Sequence, residues 1–215
     1  MPNKKAFFIV FEGIEGSGKS YQSKKLYRKL KKKGFKIIIT REPGGTINAE
    51  RIRKLLLEDY FKKKTIKQFH KLTDTLLYLA ARNEHIKNTI KPAIQKKKII
   101  ICDRFIDSTL AYQVYGKRVN INLINTIHKN ILDNIKPDLT FIMKCKISNA
   151  MKRLNKRKNK NRYDKFSKKF YSNVQSAFIK IANKNKSKYI IIDNSENDQS
   201  TEKIIFNKFL TKFRK

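Results

Sequence analysis

A run of eight residues near the start of the chain has the residue types and the spacing that bind nucleotide phosphates. It fits the pattern G-x-x-x-x-G-K-[ST] at every fixed position, between a predicted strand and a predicted helix. Glycines let backbone N–H groups face inward around phosphate oxygens, and the helix that begins there adds its positive end. We predict a phosphate-binding loop made of Gly13, Ile14, Glu15, Gly16, Ser17, Gly18, Lys19 and Ser20.

The last two residues of this run carry its reactive side chains. Lys19 is placed to reach the β- and γ-phosphates of a nucleoside triphosphate, and the Ser20 hydroxyl is placed to ligate Mg²⁺. The run therefore predicts ATP and Mg²⁺ as ligands, and it leaves the phosphate acceptor open.

Three further segments are expected at the same edge of the molecule. Residues 40–46 and 103–108 each follow a predicted strand, and residues 76–82 lie on a helix between them. Ligands of parallel sheets bind beyond the carboxyl ends of the strands. Together the segments supply cations for a second phosphate and an aromatic face for a base.

Some of these side chains also have a structural explanation. Tyr78, at helical spacing from Ala81, could be a core residue, and Arg53 beside Arg51 could be a solvated charge. An acid and a base directly after an apolar strand, as at Asp103-Arg104, are costly to bury unless they are paired or functional. Asp103 could balance Mg²⁺ or its waters, or it could orient Arg104.

The stretch at residues 151–164 is strongly basic. It could be a disordered basic loop, or a lid whose arginines exclude water and offset charge on a transferring phosphoryl group. We predict a lid over about residues 153–166.

The elements that must position these residues alternate along the chain. We predict strands over residues 6–11, 36–40, 99–103, 139–143 and 189–193. Helices are predicted over about residues 21–33, 47–57, 74–90, 121–132, 149–154, 168–182 and 201–213. Strands that alternate with helices indicate an α/β fold, with a parallel sheet covered on both faces. The 215 residues show no repeat and no linker, so we predict one domain, residues 1–215.

Composition excludes some classes of protein. The apolar runs are far shorter than the roughly 20 residues that cross a bilayer. The apolar stretch near the N-terminus ends at Glu12 without a small-residue cleavage site, so we expect a cytoplasmic protein. Cys102 and Cys145 lie in or beside apolar runs and are expected to be core thiols. The three histidines are far apart in sequence and are interpreted as surface or packing residues.

The formal net charge is +35. Such a charge is typical of proteins that bind nucleic acid or anionic membranes. The basic residues are spread along the whole chain, and abundant Lys, Ile and Asn suggest an AT-biased composition. We attribute most of the charge to composition, with nonspecific nucleic-acid affinity as a possible consequence.

With these segments the chain resembles the thymidylate kinase family. The resemblance rests on Arg41-Glu42-Pro43-Gly44-Gly45-Thr46 together with an Asp-Arg pair, a serine and a Tyr-Gln pair at fixed spacing behind the phosphate loop. It extends from Phe8 to about Ala182. It implies a P-loop NTPase fold with a five-stranded parallel sheet and a basic lid, and transfer of a phosphoryl group from ATP to dTMP.

The resemblance also implies roles for individual residues. Arg104 would hold the dTMP phosphate and take part in catalysis, as would Lys19 on the donor side. Arg53 and Arg41 would assist, and Glu42 belongs to the same segment. The remaining acceptor residues would be Tyr78 (stacking on thymine), Arg82 (a thymine carbonyl), Ser108 and Gln113 (the nucleoside pocket), Tyr112 (the ribose 2′ position) and Glu15 (the 3′-hydroxyl). Ser20 and Asp103 would serve the metal.

Three arginines align with the lid arginines of the family. The phosphate loop here contains no arginine, which is the pattern of the subgroup whose lid supplies it. Arg153 and Arg157 are assigned to catalysis and Arg162 to the ATP side. Two positions depart from the family pattern, because Asn161 and Lys144 stand where Asp is usual. A homodimer is implied by the resemblance alone.

Two other interpretations remain. Another P-loop nucleotide or nucleoside kinase would take cytidylate or thymidine, and a basic nucleic-acid-binding protein would use ATP only as a regulator. Neither accounts for the acceptor-side segments. For transfer to an anionic phosphate oxygen, catalysis needs positioning and electrostatics and no strong general base.

Overall fold

Five parallel strands form one sheet in the part of the chain that the computed structural model describes, residues 5–58, 68–158, 161–196 and 199–214. Their order across the sheet is β2-β3-β1-β4-β5. Every predicted strand is confirmed within one residue of its predicted bounds. The strands are β1 (Phe7–Glu12), β2 (Ile37–Arg41), β3 (Ile99–Asp103), β4 (Leu139–Lys144) and β5 (Tyr189–Asp193).

Helices cover both faces of this sheet, so the predicted α/β architecture is confirmed. They are α1 (Lys19–Lys32), α2 (Ile47–Leu57), α3 (Lys71–His85), α4 (Lys91–Gln95), α5 (Ile106–Thr109), α6 (Ile121–Ile131), α7 (Ile147–Asn155), α8 (Lys168–Asn183) and α9 (Gln199–Phe213). A π-helical turn, Ile86–Ile90, joins α3 to α4, and a second π-helical segment, Leu110–Gly116, continues α5. Arg162–Lys165 forms a 3₁₀ turn.

The helix predicted over residues 74–90 differs from the structure at both ends. It begins at Lys71, where the His70 side chain accepts a hydrogen bond from the backbone N–H of Leu72 at 3.4 Å. The helical conformation also extends beyond Ile90 into α4. Pro92 lies in the first turn of α4, the part of a helix where proline is tolerated. The helical stretch at residues 106–116 was not predicted.

Alternate residues of β1 pack against opposite layers. Phe7, Ile9 and Phe11 belong to a core cluster that includes residues of α1 and α9. Phe8 and Val10 face a second cluster with residues 86–105. Since both faces are covered, all six residues of β1 are buried, as is usual for a parallel strand.

Strand register brings the site together. Phe11 pairs with Asp103 on one side, and Asp103 pairs with Arg41 on the other. The carboxyl ends of β1, β3 and β2 therefore lie side by side at one edge of the sheet, where the three predicted segments were expected. Cys102 and Cys145 are buried free thiols, as predicted. No helix in the described ranges is long and apolar enough to span a membrane.

Candidate active site

The predicted phosphate loop joins β1 to α1. Gly13, Gly16 and Gly18 have φ angles of 137°, 74° and 94°, which side-chain-bearing residues rarely adopt. A Cβ on Gly13 would lie 2.4 Å from the carbonyl oxygen of Met143, and one on Gly16 would lie 2.6 Å from that of Ala150. The loop is thus packed against the end of β4 and against α7, and glycine is the residue that fits.

Lys19 is folded into the loop. Its side chain is buried, and Nζ donates a hydrogen bond to the carbonyl oxygen of Ile14 at 2.7 Å. Burial, and then the nearby charge of Arg104, lower the pKa of Lys19 to about 8. The ammonium therefore lies where phosphate oxygens would be stronger partners than the single carbonyl.

Ser20 and Asp103 meet at the mouth of this loop, where the Ser20 hydroxyl donates a hydrogen bond to Oδ2 of Asp103. A hydroxyl and a carboxylate are hard oxygen ligands, the kind that Mg²⁺ prefers. Among the described residues, no group of three or more His, Cys, Asp or Glu side chains could hold a metal. A pair of this kind fits a Mg²⁺ ion whose other ligands are phosphate and water oxygens.

Arg104 lies between the phosphate loop and the acceptor side. One guanidinium nitrogen donates to the Gly13 carbonyl at 2.9 Å and to the Ser108 hydroxyl at 3.0 Å. The other donates to Oε1 of Glu15 at 2.8 Å. Oε2 of Glu15 in turn accepts a hydrogen bond from the Tyr112 hydroxyl. This network fixes Arg104 in position, although its φ of 77° is unusual for a residue other than glycine.

Glu12 is a polar residue of the site that the sequence interpretation missed. Its buried carboxylate accepts backbone hydrogen bonds from Phe105 at 2.7 Å and Ser108 at 3.1 Å, and it contacts the Ser108 hydroxyl at 2.6 Å. It thereby caps α5. Burial, reinforced by Asp107, raises the pKa of Glu12 to about 8. The available signal was a carboxylate at the end of a wholly apolar strand.

A second buried polar network surrounds Glu42. Its carboxylate pairs with Arg82 at 2.7 Å and with Nδ1 of His85 at 3.0 Å. Arg82 also donates to Thr109 and contacts Nε2 of His128, both at 2.8 Å. Burial alone would raise the pKa of Glu42, but Arg82 and His85 lower it. The sequence offered no sign that these two histidines, far apart along the chain, would join the site.

A cleft of about 410 Å³ opens between the phosphate loop and α3. It brings together fourteen of the predicted site residues. They are Glu15, Lys19, Ser20, Arg41, Glu42, Arg53, Tyr78, Arg82, Asp103, Arg104, Ser108, Tyr112, Gln113 and Arg157.

The two arginines near the Gly-Gly turn are placed differently. Arg53 donates to the carbonyl oxygen of Pro43 at 2.6 Å and is partly buried. Arg41 is exposed and pairs with Glu50 at 3.1 Å at the rim of the cleft. Arg53 therefore already points along the wall of the cleft, while Arg41 would have to exchange partners to reach a ligand.

Tyr78 lies on the wall of the cleft and not in a closed core. Its hydroxyl donates a hydrogen bond to that of Tyr163 at 2.7 Å. Tyr163 also packs edge-on against Tyr112, with ring centroids 5.6 Å apart. One face of a flat ligand would meet aromatic rings here.

The three predicted lid arginines separate in the structure. Arg153 donates to the carbonyl oxygens of Gly16 at 3.0 Å and of Ser195 at 3.0 Å. Arg157 lines the cleft and pairs with Asp164 at 2.9 Å. Arg162 is almost wholly buried and pairs with Asp74 of α3. Residues 159 and 160 of the predicted lid lie outside the described residues.

Asn161 and Lys144, which stand where the family usually has Asp, make contacts with neighbouring residues. The side chain of Asn161 accepts a hydrogen bond from the backbone N–H of Tyr163 at 2.9 Å, and the Asp164 carboxylate accepts one from the backbone N–H of Asn161 at 2.9 Å. Asn161 therefore still caps the 3₁₀ turn. Lys144 lies 3.7 Å from Asp193 on the neighbouring strand.

The chain is similar to known proteins over nearly its whole length. A family model described as "Thymidylate kinase" matches residues 11–205. The thymidylate kinase of Halothermothrix orenii is 37% identical over 207 residues, which are 95% of this chain and 96% of that protein. That of Wolbachia pipientis wMel is 41% identical over 206 residues, 94% and 98% of the two chains. The crystal structure of thymidylate kinase from Ehrlichia chaffeensis matches with a TM-score of 0.74 and 33% identity, covering 95% of this chain and 99% of that one.

Proposed function

The chain belongs to the thymidylate kinase family, and from this premise we propose how its own residues divide the work of phosphorylating dTMP. Phosphorylation of dTMP is the function of the family, and the chain is accordingly a nucleoside monophosphate kinase. The observation that carries our proposal is the position of Arg104. Its guanidinium contacts the phosphate loop at Gly13 and lines the acceptor cleft at the same time.

ATP is the proposed donor, bound by the loop from Gly13 to Ser20. Support comes from the positive φ angles of its glycines, from the helix that begins at Lys19 and from the buried ammonium of that residue. Lys19 would exchange the carbonyl of Ile14 for phosphate oxygens. Ser20 and Asp103 would hold Mg²⁺ directly or through water, and the ion would neutralise phosphate charge.

The phosphate of dTMP is proposed to bind Arg104, with Arg53 beside it and Arg41 reaching in from the rim. Glu15 pairs with Arg104 at 2.8 Å, and it would also accept a hydrogen bond from the 3′-hydroxyl of the deoxyribose. Tyr112, packed between Arg104 and Tyr163, would crowd the ribose 2′ position. With these contacts the acceptor phosphate would lie next to the donor loop.

Thymine is proposed to stack on Tyr78, in the part of the cleft lined by Ser108 and Gln113. Arg82 would donate to a thymine carbonyl from an orientation that Glu42 fixes. Glu42 itself acts through Arg82, because its carboxylate already has two buried partners.

The reaction needs alignment and charge compensation. A phosphate oxygen of dTMP attacks the γ-phosphorus of ATP in line, a P–O bond forms, the bond to the β-phosphate oxygen breaks, and ADP leaves. Lys19, Arg104 and the lid arginines Arg153 and Arg157 would offset the charge. For Arg162 we propose the position beside Asp74 in place of the ATP contact, because a buried and paired guanidinium would first have to break that pair.

The test is a coupled ADP-release assay with ATP and Mg²⁺, using dTMP, dUMP, CMP and thymidine as acceptors. We expect turnover mainly with dTMP and its loss when EDTA removes the metal. Turnover mainly with CMP or thymidine would contradict the proposal and place the chain in a neighbouring kinase group.

Two properties of the whole protein are also proposed. A homodimer is supported by exposed apolar side chains on α2, α3 and α6, including Leu55, Leu76 and Ile121. A cytoplasmic location is supported by two free thiols, which are usual in reducing compartments. Cell fractionation tests the location, and activity that sediments with membranes would contradict it.

Nonspecific affinity for nucleic acid is proposed as a secondary property of the +35 charge. The binding constant for single-stranded RNA should fall steeply with salt. Binding that does not change with salt would contradict this explanation.

A further inference from the structure

Two tyrosines from distant parts of the chain share a hydrogen bond in the wall of the cleft. Tyr78 lies on α3, and Tyr163 lies in the 3₁₀ turn Arg162–Lys165 at the base of the basic lid stretch. Their hydroxyl oxygens are 2.7 Å apart, and their rings meet at 74° with centroids 6.5 Å apart. Both residues line the cleft. The motifs in the sequence assigned no role to Tyr163.

A second bond joins the same two elements. Asp74 lies one helical turn before Tyr78 on α3, and it accepts hydrogen bonds from Arg162 and, at 2.6 Å, from Lys117. The side chains of Asp74 and Arg162 are each about 1% exposed. Arg162 and Tyr163 are consecutive residues of the 3₁₀ turn. Arg162 bonds to Asp74 and Tyr163 bonds to Tyr78, and these two partners lie one helical turn apart on α3.

The geometry limits how the Tyr78 ring can move. A tyrosine whose hydroxyl is hydrogen-bonded cannot rotate about its side-chain torsions without breaking that bond. The bond is partly buried, and water competes less for such a bond than for an exposed one. Tyr163 also packs edge-on against Tyr112, with ring centroids 5.6 Å apart. One residue thus contacts the ring proposed to stack on thymine and the ring proposed to crowd the ribose.

We propose that Tyr163 is a positioning residue of the acceptor site, which fixes the Tyr78 ring through the hydroxyl pair while the Asp74–Arg162 ion pair anchors the turn. Acceptor recognition and attachment of the lid base then depend on the same contacts. This inference rests on the proposed function, because it takes the cleft to be the dTMP site.

A double-mutant cycle tests the hydroxyl pair. Tyr78→Phe and Tyr163→Phe keep both rings and remove one hydroxyl each. We expect each variant to raise the Kd and the KM for dTMP by about 3- to 10-fold, the range of a single buried hydrogen bond, with kcat and the KM for ATP nearly unchanged. The loss in the double variant should be smaller than the product of the two single losses, because either substitution alone already removes the bond between the two hydroxyls.

Matched controls separate this from a general loss of structure. Tyr115→Phe removes the hydroxyl of an exposed tyrosine on the neighbouring π-helical segment and should leave all constants unchanged. Asp74→Asn keeps the shape of the anchor and should raise the KM for dTMP more than the KM for ATP. If Asp74→Asn does not fold, the tyrosine cycle still decides the question.

Two results would overturn the inference. One is that the two single effects multiply in the double variant, which would mean that the hydroxyls act independently. The other is that neither variant changes dTMP binding. A wild-type protein that does not phosphorylate dTMP would instead refute the proposed function, so the two failures can be told apart.

Discussion

The charged side chains of the cleft hold one another in place. Arg104 is paired with Glu15 at 2.8 Å, and Arg82 with Glu42 at 2.7 Å. Donors that are already oriented lose little freedom when a phosphate arrives, which favours charge stabilisation in the transition state. At the scale of residues, the site is therefore built on ion pairs, one buried (Arg82–Glu42) and one partly buried (Arg104–Glu15), which a ligand completes.

His128 makes the stability of the protein depend on pH. Burial, and then the charge of Arg82, lower its pKa to about 3. In the unfolded chain the imidazole takes up a proton near pH 6.5, so the unfolded state binds more protons below that pH and stability falls as pH is lowered. The variant His128→Gln keeps an acceptor for Arg82 but cannot titrate. We predict that the free energy of unfolding falls by about 2 kcal/mol more in wild type than in this variant when the pH is lowered from 7 to 5.

Urea unfolding at the two pH values measures this difference. His70→Gln is the matched control, since His70 is an exposed histidine at the start of α3. Equal losses in wild type and His128→Gln would show that His128 is not the group that titrates.

At the scale of elements, the phosphate loop depends on its neighbours. Gly16 packs against α7, with a φ of 74° and no space for a Cβ beside the Ala150 carbonyl. We predict that Gly16→Ala lowers the free energy of unfolding by roughly 1–3 kcal/mol and weakens ATP binding, because the loop must shift to fit the methyl group. Thermal unfolding and ATP titration check both effects.

Gly116→Ala is the control for this prediction. Its added Cβ would lie 3.2 Å from the ring of Phe170, a side chain that can move, and Gly116 does not have a positive φ. If both alanine variants are equally stable, close packing of the loop against α7 is not what requires glycine at position 16.

The strands could be predicted from sequence because each is an apolar run, a signal that consecutive residues carry by themselves. The helical stretch that begins with α5 could not, because its first turn is capped by Glu12, which lies 93 residues away from Phe105 along the chain. The phosphate loop was predictable for the same local reason as the strands. The Glu42 network and the Tyr78–Tyr163 bond join residues 27 to 85 positions apart, and only the folded chain brings them together.

At the scale of the whole molecule, positive charge opposes folding. Fifty-two basic residues face seventeen acidic ones. Bound phosphates offset part of this repulsion, and ligands that bind only the native state stabilise it. We predict that saturating ATP and dTMP raise the Tm by at least about 5 °C, and by more at low salt, where the repulsion is screened least. A Tm that ligands leave unchanged would contradict this.

The exposed apolar side chains on α2, α3 and α6 predict a dimer interface. Leu76 on α3 is 45% exposed. A two-fold interface contains each substituted residue twice, so Leu76→Glu would put two charges into the apolar contact and should convert a dimer to a monomer. Light scattering after gel filtration measures the mass. Ile204→Glu is the control, because Ile204 is a similarly exposed apolar residue on α9 and should leave the dimer intact.

The most direct test of the account is the kinetics of Arg104→Ala in the coupled assay, with dTMP varied at saturating ATP and ATP varied at saturating dTMP. We predict a loss of at least about 100-fold in kcat/KM for dTMP with little change in the KM for ATP, while Arg28→Ala on the exposed face of α1 behaves as wild type. If Arg104→Ala keeps a kcat/KM for dTMP within about 3-fold of wild type, Arg104 does not hold the acceptor phosphate and the proposed site is wrong.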